Sequence, residues 1–190
     1  MSGAWGREET PQLAVARLLD AAEKAFVEVG VSAAGMAEIA DFAGCSRGTL
    51  YRYFKNRHEL HLAYVDRAAQ EIAERVRAET RGIASPRKRL AQAILASLRE
   101  VRQHPGTSAW FEPGASGMAA RRSRYSEVIE TLTEGFVSAL FGPQDDDPDS
   151  RLLARWIVRV ILSLLSMPGE SEAEERALVE RFVAPILGRA

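Results

Sequence analysis

The periodic part of the chain begins with Thr10 followed by Pro11, after which apolar residues return at Val15, Leu18, Leu19, Ala22, Phe26 and Val29. Steps of three and four residues place side chains on one face of an α-helix, and no segment shows the two-residue alternation of a half-buried strand. A hydroxyl N-cap with proline at the first helical position is a start signal, because that position has no intrahelical use for an N–H. Gly30 suits the residue just past the end, where the backbone turns left-handed. The same punctuation recurs further on. Asn56 caps a helix that carries Leu60, Ala63, Tyr64, Ile72 and Val76 on one stripe, and Ser85-Pro86 restarts the chain toward His104. Pro168-Gly169 separates the last two helices, and Pro185 ends or kinks the final one. The expectation is an all-α fold of about nine helices: 11–29, 36–43, 47–53, 57–80, 86–104, a short one within 107–118, 119–141, 150–167 and 172–184.

A chain of 190 residues holds one domain, or one plus a small module, with a core of ordinary size. Lys and Arg number 25 against 26 Asp and Glu, a net charge of -1. That balance excludes a bulk polycation and an acidic disordered tail, and leaves room for a local basic patch. The single cysteine, Cys45, makes no intrachain disulfide and no cysteine-built zinc site, which fits a reducing compartment. Residues 1–11 lack a basic region ahead of an apolar one, so no secretory signal is expected. The most apolar stretch, 156–167, contains Arg159 and falls short of the roughly 20 residues that cross a bilayer. The expectation is a cytoplasmic protein with no membrane partner. His58, His61 and His104 lack the spacing of a zinc protease, and Asp145-Asp146-Asp147 lacks the Gly and Glu of a calcium loop. No catalytic residue, metal or cofactor is expected.

The two short helices at 36–43 and 47–53, joined by a tight turn at Gly44-Cys45, describe a helix-turn-helix. Ile39, Ala40, Ala43 and Leu50 pack the pair against Phe26, with Leu50 and Phe54 assigned to core. Ser46 caps the second helix. Its outer face carries Arg47, Gly48, Thr49 and Arg52, at and just after the N-terminus, where a recognition helix meets base edges. Arg47 has the fork that matches guanine O6 and N7, Thr49 suits a thymine methyl or a phosphate, and Gly48 permits close approach. Tyr51, Tyr53, Lys55, Arg57 and the start of the fourth helix suit phosphate oxygens. Between Cys45 and Arg57 there is no acid. Taken singly, the tyrosines also fit a half-buried core and the arginines a solvated face; together, at this spacing, they point to double-stranded DNA.

The run GCSRGTLYRYFKNRHEL at 44–60, with MAEIADFA before it, resembles the signature of the TetR family of bacterial transcriptional regulators. The resemblance implies that Ser46, Arg47, Thr49, Tyr51, Tyr53 and Arg57 occupy operator-contacting positions. It departs at Gly35 and Met36, where the family usually has Thr, and at Arg57, where Lys is commoner. It further implies a DNA-binding domain over 1–56 and an effector-binding and dimerisation domain over 57–190. On the eighth helix Leu153, Trp156, Ile157, Val160, Ile161, Leu164 and Leu165 form a broad apolar face, and on the ninth Ala177, Leu178, Phe182 and Ile186 form a stripe. Ordinary core is one reading of them; pairing with a second copy, as in the family, is the other and is favoured by the width of the face. Trp110, Phe111, Met118, Tyr125 and Phe136 fall where the family encloses a small effector, and their apolar character suits a mainly apolar molecule. The expectation is a homodimeric repressor, released from an inverted-repeat operator by its effector. A TetR-like activator, a regulator without an effector and a small helical enzyme are the alternatives. The last needs a convergent nucleophile, base or metal set that three histidines do not offer.

Overall fold

Hydroxyl caps start the helices at the places the punctuation marks. Thr10 Oγ1 accepts from the Leu13 N–H at 3.4 Å, Ser46 Oγ from Thr49 at 3.0 Å, Ser85 Oγ from Lys88 at 3.4 Å and Ser171 Oγ from Glu174 at 3.2 Å. Each satisfies an N–H that the first helical turn leaves without a partner. The computed structural model describes residues 10–112, 126–141 and 148–188. Among them every regular element is helical: α1 (Pro11–Val29), α2 (Met36–Ala43), α3 (Arg47–Tyr53), α4 (Arg57–Thr80), α5 (Pro86–Gln103), α6 (Pro105–Ser108), α7 (Glu127–Phe141), α8 (Pro148–Ser166) and α9 (Glu172–Leu178).

Beyond shifts of one or two residues at the ends of α5 and α8, three boundaries differ from the sequence expectation. Pro105 opens α6 directly after α5, and a 3-10 turn at Ala109–Phe111 continues it, so this short helix lies earlier than expected. The helix expected from 119 begins at Glu127 with Ser126 as its cap, whose Oγ accepts from the Ile129 N–H at 3.0 Å; residues 119–125 lie outside the described residues. The final helix gives up its regular winding at Leu178. A π-helical turn at Val179–Val183 and a 3-10 turn at Ala184–Gly188 follow, and the Ala184 N–H reaches back to the Val179 carbonyl. Pro185 has no N–H to offer and its ring disfavours a preceding regular turn, so the helix winds wide just before it.

The described residues form two compact units. The first comprises residues 10–67 and 105–112. Its core is built from Leu18, Leu19, Ala22 and Phe26 of α1, Ile39 and Ala40 of α2, Leu50 of α3, Leu60 and Tyr64 of α4, and Trp110. Arg67 ties α4 to α1 through Asp20 at 2.6 Å. Gly106 sits so close to α1 and α4 that a Cβ there would stand 2.4 Å from Tyr64 Oη and 2.5 Å from Glu23 Cγ. The second unit comprises residues 68–104, 126–141 and 148–188, around Leu90, Ile94, Val137, Leu140, Ala154, Ile157, Val179 and Val183. Its polar staple is the exposed Arg102 with the buried Glu175, paired through both oxygens at 2.7 Å, while Glu175 Oε1 also accepts from the Gly169 N–H at 3.0 Å. Arg102 Nη2 donates to the Leu164 carbonyl as well, so one ion pair joins α5, the end of α8 and the start of α9.

Candidate nucleic-acid interface

α3 has seven residues, too few for a helix to hold by itself, and its shape is imposed by burial. Leu50 is fully buried and Phe54 nearly so, four residues apart on the inward face. The opposite face is thereby turned outward: Arg47, Gly48, Tyr51, Arg52 and Lys55 are exposed, and Thr49 and Tyr53 half-buried at its margin. Gly44, at φ 63, makes the turn from α2, with the Cys45 N–H bonded to the Ala40 carbonyl at 3.0 Å. A left-handed backbone of this kind favours glycine. Around Gly48 the nearest atom to a built Cβ is Ser46 Oγ at 3.7 Å, so that side of α3 is open to an approaching surface.

The individual side chains are partly engaged. The Ser46 and Thr49 hydroxyls are 2.9 Å apart and serve the helix cap. Arg52 lies over the Tyr53 ring, 5.0 Å from its centroid, and donates to Tyr53 Oη at 3.3 Å. Glu59, which the motif reading passed over, accepts from the Lys55 N–H at 3.0 Å, while its own N–H donates to Asn56 Oδ1 at 2.9 Å. The carboxylate therefore already occupies the start of α4, where a phosphate was expected. Asn56 with Glu59 three residues on is the signal that would have found it. Glu38 likewise reaches back to the Gly35 N–H at 3.1 Å, supplying at α2 a side chain that Gly35 lacks. Arg57 is turned inward: Nη2 donates to the Val31 and Ser32 carbonyls at 2.5 and 2.8 Å, and Nε to His61 Nε2 at 3.3 Å. His61 is fully buried; burial first, and the Arg57 charge second, push its imidazole down to about 4. Burial also raises the Cys45 thiol, which keeps it from the reactive thiolate form.

Residues 18–64, from the middle of α1 into α4, match the family of bacterial regulatory proteins called tetR. Over 183 residues the chain is 40% identical to an HTH-type transcriptional regulator of Mycobacterium tuberculosis, covering 96% of this chain and 90% of that one. The chain belongs to the TetR family. It is a DNA-binding transcriptional regulator, not an enzyme. Its similarity extends to the transcriptional repressor KstR2 of Mycobacterium tuberculosis, at 27% identity over 155 residues and 74% of each chain. Among solved structures, the TetR family repressor AlkX from Dietzia, implicated in biodegradation of n-alkanes, superposes with a TM-score of 0.67. That match has 27% identity and covers 97% of this chain and 99% of that one.

The remaining candidates of this TetR chain fall in both units. Trp110 is 3% exposed in the first, its ring 5.4 Å from Phe26, 5.1 Å from His61 and stacked at 6.2 Å on Tyr64; Phe111 is half-buried beside the same core. Phe136 packs in the second unit, with the Arg89 guanidinium 5.5 Å over its ring. Of the five expected pocket residues, Trp110 and Phe111 thus belong to the first unit and Phe136 to the second, while Met118 and Tyr125 lie outside the described residues. On α8, Ile157 is buried in its own unit, and Leu153, Trp156, Val160, Ile161 and Leu164 are half-buried against that core. Further along the chain Phe182 is 69% exposed, and Leu178 and Ile186, four residues to either side of it, are exposed as well. Among the described residues no helix is long and apolar enough to cross a membrane.

Proposed function

We propose that this TetR regulator is a homodimeric repressor of the cytoplasm that reads an inverted-repeat operator and leaves it when a small, mainly apolar effector binds. The reading side chains are Ser46, Arg47, Gly48, Thr49, Tyr51, Arg52, Tyr53 and Lys55. The observation that carries this is the outward face of α3, cationic and open at Gly48, opposite the buried Leu50 and Phe54. A single such helix spans only a few base pairs, so affinity and site length require two copies related by symmetry. Leu178, Phe182 and Ile186, with the half-buried Leu153, Trp156, Val160, Ile161 and Leu164 nearby in the same unit, supply an apolar surface for that second copy; Ile157 supports it from beneath.

The effector site belongs to the part of the chain after residue 56, with Phe136, Met118 and Tyr125 as its lining. Trp110 and Phe111 are committed to the first unit's core and are left out of it. The likeness to a repressor implicated in n-alkane biodegradation, at 27% identity, supports an apolar class of effector. The test has three steps: selection of duplexes from a random-sequence pool, sedimentation of the protein, and titration of the selected duplex with medium-chain alkanes and fatty acids. An inverted repeat, a dimer and release by an apolar compound are the expected results. A direct or single half-site removes the symmetric reading; stabilising ligands that leave DNA affinity unchanged remove induction.

A further inference from the structure

The first turn of α4 holds a cation that does not face outward. Arg57 reaches across 25 and 26 residues of sequence to two carbonyls, Ser32 and Val31, of the turn that leads from α1 to α2. We propose that Arg57 is a positioning residue, not a phosphate contact: aimed by His61, its guanidinium fastens the α1–α2 turn to α4 and so sets where the helix-turn-helix stands. The proposal rests on the DNA-binding function of the chain and deepens it.

Three observations converge on it. Both acceptors are backbone carbonyls of one turn, Val31 itself being 1% exposed, and a guanidinium has the planar fork to serve both from one nitrogen. The third partner, His61, follows one helical turn after Arg57, and its Nε2 accepts from Arg57 Nε. An accepting Nε2 places the ring proton on Nδ1 and requires a neutral imidazole, since a protonated ring would turn an N–H toward the guanidinium. Finally, the imidazole is not free to turn. It is fully buried and meets both Phe26 and Trp110 in T-shaped contact, each ring 5.1 Å from its centroid. A rigid acceptor therefore aims the guanidinium, and the guanidinium holds the turn. A lysine has one ammonium on a flexible stem and cannot fork to the turn while engaging the imidazole. Arginine at 57 and histidine at 61 are a matched pair, and the outward cations Arg47, Arg52 and Lys55 remain for DNA.

A spectrum of the full-length protein tests this without any substitution. The ring nitrogens of His61 at neutral pH are expected to report the neutral tautomer with the proton on Nδ1, before and after addition of the tightest duplex recovered from a random-sequence pool. A proton on Nε2, or a change of tautomer when the duplex binds, overturns the proposal. With the same duplex, Arg57→Lys is expected to bind roughly tenfold more weakly, the scale of one or two charge-assisted hydrogen bonds. Its dependence on salt should match the parent's. His61→Phe, which alters no group that reaches DNA, is expected to weaken binding by a similar factor, and the double variant by no more than either alone. Parental affinity in Arg57→Lys, with a salt slope reduced by about one in Arg57→Gln, returns Arg57 to the phosphate backbone. Recovery of no duplex at all would count against the DNA-reading face, and the tautomer spectrum would still decide the clamp.

Discussion

On the proposed reading, removal of the exposed Arg47 separates reading of bases from attraction to phosphates. The residue stands at the first position of α3. Arg47→Ala is expected to cost about 1–3 kcal/mol against the selected duplex and to relax preference at one base position per half-site. Repeating the selection with the variant checks it, and an unchanged preference removes Arg47 from base reading. His61 carries a second expectation, on stability. Its pKa is near 4 in the fold against an ordinary 6.5, so below 6.5 the unfolded chain takes up a proton that the folded one refuses. Stability is full above 6.5, falls as pH drops, and levels near 4, by about 3 kcal/mol in all. Urea titrations of parent and His61→Leu should therefore converge toward pH 4; a difference that is flat with pH contradicts it. At this scale the local signals were readable and the distant ones were not. Ser46 and Gly44 act on neighbours within five residues, and their residue types announce that. Arg57 acts on carbonyls, which every residue has, so no residue type at 31 or 32 marks the acceptor.

Between elements, the decisive contacts are those that hold a short helix or a turn in place. α8 and α9 are joined at Pro168-Gly169, and Glu175 locks the join from inside. The hydrogen bond from Arg102 is the chief reason its carboxyl lies below the ordinary range. Its contribution is present above the ordinary glutamate range and is lost as pH falls through the lowered value. Glu175→Ala removes a buried carboxylate that accepts from the exposed Arg102 and from the Gly169 N–H, and a loss of about 1–2 kcal/mol is expected in chemical denaturation. A loss under 1 kcal/mol would place the pair among weak surface bridges. Gly106→Ala tests the docking of α6 in the same way: a methyl against Tyr64 and Glu23 should cost about 1–3 kcal/mol by overpacking. Caps and prolines made most helix limits legible, because they act on the turn they begin. The wide turn at Val179–Val183 was not, since Pro185 announces an ending but not how the preceding residues absorb it.

For the whole molecule, the sequence disclosed class and family, while the grouping of segments into units escaped it. Periodicity shows which face of a helix is buried and is silent on which partner buries it; Trp110 reads as one more apolar residue in a loop-rich stretch, yet its neighbours are Phe26, His61 and Tyr64. The pairing of two copies makes its own prediction. Phe182 is exposed and lies on no part of its own core, so Phe182→Glu should leave the fold intact by circular dichroism while sedimentation reports monomer and affinity for the inverted repeat collapses. A dimer of parental stability removes this residue from the interface. The interruption of the first unit between residues 67 and 105 bears on how the protein is born. A ribosome adding about 5–20 residues per second delivers Phe26 on the order of ten seconds before Trp110. Through that interval α1 to α4 exist without the indole that closes their centre, and the whole of α5 must emerge first. A fragment ended at residue 67 is frozen at that moment of synthesis: it should aggregate or melt at low temperature, and adding the missing segment as a separate peptide should rescue it.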